Sequence, residues 1–139
     1  MISGLALIVA IVPAWTAVVT VRDSNKSRDL STIETIRASV RETAIDLFEK
    51  LQNPESTNVQ HDFYATQFLD VIEHACYIYN NKMIGEASSK FMKDYLNEEV
   101  NYINNSWMKQ SIIAKKLNDP VYSDLRKFAE ANGINLYST

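Results

Sequence analysis

The chain has 139 residues, 22% charged and 46% apolar, with a formal net charge of −3, three Gly, three Pro and one Cys. That length is one domain's worth and excludes a two-domain enzyme. The scarcity of Gly and Pro excludes a Gly-rich phosphate loop, a collagen repeat and a turn-rich β-sandwich, and the lone Cys76 excludes an internal disulfide.

From Ile2 to Val21 no residue is charged. As a helix these twenty residues span roughly 30 Å, the thickness of a hydrocarbon core. No polar face is present, as a soluble amphipathic helix would require. A cleaved signal peptide would begin with Lys or Arg, whereas this segment begins Met1-Ile2-Ser3. A buried hairpin helix is the third reading. The expectation is therefore a transmembrane anchor over residues 1–21. Arg22, Lys26 and Arg28 follow it and no base precedes it. The positive-inside rule then sets the N-terminus outside and residues 22–139 in the cytoplasm, at the inner (plasma) membrane. Pro13 sits mid-span and would bend the helix. Ser3, Ala6, Ala10, Ala14 and Ala17 recur along one side, a small-residue stripe that favours self-association or a partner membrane helix.

Residues 24–52 carry a helical stripe of Leu30, Ile33, Ile36, Val40, Ala44, Leu47, Phe48 and Leu51. No Pro or Gly separates this stretch from the anchor, so one long helix can run through both, with Ser24-Asn25-Lys26-Ser27 as the weak point. Asn53-Pro54-Glu55-Ser56 ends it. A second helix is predicted from about Val59 to Tyr79, with Phe68, Leu69, Ile72, Ala75, Cys76 and Tyr79 inward and Asn80-Asn81-Lys82 as a frayed end. Ile84 tucks under the connection that follows. A third runs from about Ala87 to Lys115 on Phe91, Met92, Leu96, Val100, Ile103, Trp107 and Ile112. Asp119 caps a fourth, Val121 to Ala131, with Val121, Leu125, Phe128 and Ala129 inward and Asn132-Gly133 as its C-terminal cap. The expected fold is all-α: an N-terminal transmembrane helix followed by a small antiparallel bundle of three long helices and one short.

Charge balances to zero over 22–50, falls to −5 over 55–99 and rises to +2 over 100–139. The longest basic run is Lys115-Lys116, too short for a nucleic-acid-binding face. The densest chemistry is His61-Asp62 with Asp70, Glu73, His74 and Cys76. Asp70 and His74 share a helix face, but a bundle metal site pairs two such motifs and the second is missing, since Glu98-Glu99 lacks a His. Cys76 sits on the apolar stripe, where a thiol is inert packing. No Gly-x-Ser-x-Gly elbow occurs, and neither His follows an Arg at the spacing used by helical-bundle ribonucleases. No catalytic residue, metal, cofactor or small-molecule substrate is expected. Tyr77 and Tyr102 fall off the apolar stripes and could line a protein interface.

Three stretches are similar in pattern and order to a bacterial family: Val21–Leu51, Phe68–Val100 with its Lys82-Met-Ile-Gly-Glu86 turn, and Asp119–Phe128 with its Pro. The chain resembles this domain-of-unknown-function family of small proteins with one N-terminal span and a cytoplasmic helical domain. The resemblance implies fold and topology and brings no catalytic residues. The expected role is a non-enzymatic, membrane-anchored interaction protein: an accessory, sensor or scaffold subunit that forms homo-oligomers or holds a partner membrane protein at the lipid surface. The alternative is a self-assembling membrane effector of holin-like or defence-system type.

Overall fold

A computed structural model describes residues 2–105 and 116–136, with side chains from Asn25 onward. Helix α1 spans Ile2–Gln52, α2 Asn58–Asn80, α3 Glu86–Asn105 and α4 Ser123–Ala131, the last preceded by a 3-10 turn at Pro120–Tyr122. No strand occurs among the described residues. The all-helical reading stands.

The membrane reading does not. Among the described residues, no helix is long and apolar enough to cross a membrane. The expected transmembrane helix over 1–21 is corrected on that finding, and with it the inner-membrane placement and the lipid-facing roles that depended on it. The structure has one uninterrupted helix of 51 residues, about 76 Å long. It passes through Ser24-Asn25-Lys26-Ser27 without a break. Its described part is amphipathic: Ile33, Ile36, Val40 and Leu47 are buried while Arg37, Arg41, Glu42 and Glu49 are exposed. The association stripe of Ser3, Ala6, Ala10, Ala14 and Ala17 lies outside the described side chains.

Central in the bundle is α2, which packs against α1, α3 and α4. Its start is fixed by a capping box: the Thr57 hydroxyl accepts from the Gln60 N–H at 3.2 Å, and the Gln60 side-chain oxygen accepts from the Thr57 N–H at 3.0 Å. Phe68, Leu69, Ile72, Ala75 and Cys76 are buried as the periodicity predicts, and Tyr79 packs against them.

The predicted frayed end of α2 is instead a closed one. The Lys82 N–H donates to Tyr79 O and the Met83 N–H to Ile78 O, the paired bonds of a Schellman cap. Lys82 itself sits at φ 53°, in the left-handed region where a side chain is costly. The same device ends α4, with Gly133 at φ 69° and bonds from Gly133 N–H to Glu130 O and from Ile134 N–H to Ala129 O. There the residue is the expected glycine, and Ile134 and Leu136 dock into the core behind it.

Four residues placed inward by periodicity are exposed: Leu30, Phe48, Phe91 and Val121. Phe48 lies about 100° around the helix from fully buried Leu47, at the edge of the stripe. Val121 falls in the 3-10 turn, whose tighter winding turns Tyr122 inward in its place. Asp119 caps that turn as expected, its carboxylate accepting from the Val121 N–H at 3.1 Å. The described part of α3 ends at Asn105, and Trp107 and Ile112 lie outside the described residues.

Candidate functional site

The cluster that looked most chemical in the sequence is scattered by the fold. The His61 ring nitrogen Nε2 lies 3.1 Å from Lys50 O, joining the start of α2 to the end of α1. Asp62 pairs with Lys116 at 2.8 Å. Asp70 accepts from the buried Tyr122 hydroxyl at 3.2 Å. Burial, reinforced by the Asp70 charge, pushes that phenol well above the usual tyrosine range.

Glu73 caps α4 from a neighbouring helix: its two carboxylate oxygens accept from Asp124 N–H at 2.9 Å and Leu125 N–H at 2.6 Å. Negative charge at a helix N-terminus is favourable. Asn80 completes the joint by donating to both Asp124 O and the Asp124 carboxylate at 3.0 Å. Cys76 is fully buried, and burial, with Glu73 and Asp124 adding, pushes its thiol far up, out of the reactive range. Among the described residues no group of three or more His, Cys, Asp or Glu side chains could hold a metal ion.

His74 and Asp70 face a groove of about 460 Å³ between α1 and α2, with Ser31, Thr32, Thr35 and Ser39 on the opposite wall. The Thr32 and Thr35 hydroxyls donate to Arg28 O and Ser31 O within their own helix. That back-bonding accommodates hydroxyls on an exposed helix face and activates neither of them.

A larger concavity runs along α1 and α3. Two open depressions of about 1020 and 890 Å³ meet at Glu34 and Arg37, which line both. Lying end to end along α1, they make a trough from Asn25 to Asp46, about 30 Å long, divided at Arg37. Leu30, Ile33, Ala87 and Phe91 make an apolar bed at one end, and Ala44 and Ile45 continue it at the other. Leu30, Phe91 and Ile45 are each about half exposed, at 51%, 47% and 49%. The Arg37 guanidinium sits 5.7 Å from the ring centroids of both Phe91 and Tyr95, a cation–π bridge that holds the centre of the trough.

The upper end is pinned by Asp29. Its carboxylate is buried and accepts from the Gly85 N–H at 2.8 Å, just ahead of α3. A Cβ at Gly85 would stand 3.1 Å from that oxygen, so glycine permits this close approach of α1 to α3. Lower down, burial raises the Glu99 carboxyl, with Glu98 adding. Burial, then Glu99, carries the Tyr95 phenol up to about 12 against the opposing pull of Arg37 and Arg41.

Of the two expected interface tyrosines, Tyr102 is 56% exposed and continues the α3 face of Phe91, Tyr95 and Glu98. Tyr77, 45% exposed, belongs to the outer stripe of α2 with Asp70 and His74. The fold leaves both available but does not unite them. The trough is not visible in the sequence, because Leu30 and Phe91 satisfy core periodicity. A surplus of apolar positions at the edges of the α1 and α3 stripes was the one signal of it. Comparison of the chain with protein-family models, with curated proteins and with solved structures gives no match in any of the three.

Proposed function

We propose that this chain is a helical interaction subunit, an accessory or scaffold protein whose docking surface is the α1–α3 trough. The observation that carries this reading is the pairing of Leu30 with Phe91, half-exposed large apolar residues on two helices that share one open, charged-rimmed depression. Interfaces of this kind combine an apolar, aromatic centre with a polar rim, and Arg and Tyr are enriched there. The cluster first read for chemistry is occupied in holding the bundle together, through Glu73 on α4 and Asp62 on Lys116. Both a second copy and a different protein satisfy this reading.

The test is site-resolved photo-crosslinking in the native cell. A crosslinker replacing Glu34, in the trough, is expected to trap a discrete protein, and one replacing Gln67, on the exposed face of α2, is not. A product at twice the chain's mass would identify a homo-oligomer. Equal products at both positions, or none at Glu34, would remove the docking role.

A further inference from the structure

We infer that the occupant of the α1–α3 trough is a basic amphipathic helix of a partner protein; this rests on the docking role proposed above and names its chemistry. Charge is the first argument. Glu34, Glu42, Asp46, Glu86, Glu98 and Glu99 line the trough against three bases. Asp29 is left out of that comparison because its carboxylate is buried and engaged by Gly85. The trough therefore carries a surplus of three acids, as large as the net charge of the whole chain. Of the three bases, Arg37 is held over Phe91 and Tyr95.

Shape is the second argument. One wall of the trough is a continuous helix, and the lined stretch is about 30 Å long, the length of a helix of roughly 20 residues. Its apolar contacts at Leu30 and Ile45 are fifteen positions apart on α1, or about 22 Å. A partner helix with anchors at i, i+3/i+4, i+7 and onward matches that span. A peptide that binds by strand addition needs a sheet edge, and there is none among the described residues.

The other occupants fit less well. A second copy laid trough to trough would set one surplus of three acids against another, and like charges across an interface suppress association. Nucleic acid and anionic lipid are repelled for the same reason. A cationic partner, by contrast, offsets by charge attraction the cost that burial and Glu98 impose on the Glu99 carboxylate.

The experiment uses the full chain and two synthetic peptides of about 21 residues, a length set by the trough. Both have leucine at helical i, i+3/i+4 spacing; one carries lysine elsewhere and the other glutamate. Binding is read by fluorescence anisotropy at low and high salt. The lysine peptide is expected to bind, to weaken as salt rises, and to outcompete the glutamate peptide. The double variant Glu34→Lys/Glu98→Lys is expected to lose affinity about tenfold or more, as reversal of contacting charges does. The control Glu55→Lys/Glu130→Lys alters the net charge equally on exposed residues away from the trough, and is expected to stay within about twofold. Circular dichroism on each variant confirms the fold.

Failure of the lysine peptide to bind overturns the inference. So does a control variant that loses as much as the trough variant, since binding would then follow net charge alone. The two proposals separate cleanly. A Glu34 crosslink in cells together with no preference for the lysine peptide leaves docking standing and rejects the basic helix. Absence of both rejects docking as well.

Discussion

The α2–α4 junction and the α1–α3 seam are built from similar residues and end in opposite states. At the first, each helix end meets a partner: Glu73 and Asn80 receive the start of α4, Tyr122 donates to Asp70, and Tyr79 meets Phe128 edge-on at 5.3 Å. At the second, α1 and α3 touch through Asp29 and Gly85 at one end and are bridged by Arg37, leaving apolar side chains half exposed between them. The difference teaches that this bundle separates the polar chemistry of folding from the apolar surface available for binding. Buried polar groups must be satisfied, so carboxylates that serve as caps are no longer free to catalyse. Half-exposed apolar side chains forgo burial free energy but leave no hydrogen bond unsatisfied.

The sharpest way to break that comparison is to empty the closed side. Phe128→Ala removes a fully buried ring and is expected to cost about 3–5 kcal/mol in denaturant unfolding. A cost near zero would mean that α4 is an appendage and the junction is not part of the core. Next in size is Glu73→Ala, which strips both carboxylate acceptors from the start of α4 and is expected to cost about 1–2 kcal/mol by the same measurement. Glu73→Gln keeps one acceptor and should lie between. Smaller and opposite in sign is Lys82→Gly. It relieves the left-handed backbone at the end of α2 and should stabilise by roughly 0.5–1 kcal/mol, read as a rise in Tm. Gly133→Ala, at the matching position of α4, should destabilise for the same reason.

How far the sequence reaches is clear from particular residues. Phe68, Leu69, Ile72, Met92, Leu96, Leu125 and Phe128 were placed inward by three-and-four spacing, and all are buried. Asp119 and Gly133 were placed as caps by local chemistry, and both serve as such. These are short-range rules, and they succeed where structure is short-range. The membrane span rests on twenty uncharged residues of bilayer length without a polar face, and no helix among the described residues bears it out. Glu73 was read as part of a metal-like cluster, because its partners Asp124 and Leu125 lie some fifty residues away in sequence. Leu30 and Phe91 were read as core, because periodicity reports which side of a helix is apolar and not whether a neighbour covers it.

The variants that bear most on function lie on the open side. Leu30→Ser and Phe91→Ser change side chains already half in water, so about half of a full side chain's apolar burial is at stake. Each is expected to lower the unfolding free energy by about 1 kcal/mol, well short of Phe128→Ala. Arg37 would keep its contact with Tyr95 in both. If the trough is a docking site, the same two variants should abolish the Glu34 crosslink and the lysine-peptide binding while the helical circular dichroism signal stays in place. A large loss of stability would show that Leu30 and Phe91 belong to the fold and that the seam is an imperfectly covered core. An intact fold with unchanged binding would show a bare apolar patch that no partner uses. Only the combination of intact fold and lost binding fits a surface kept open for another helix.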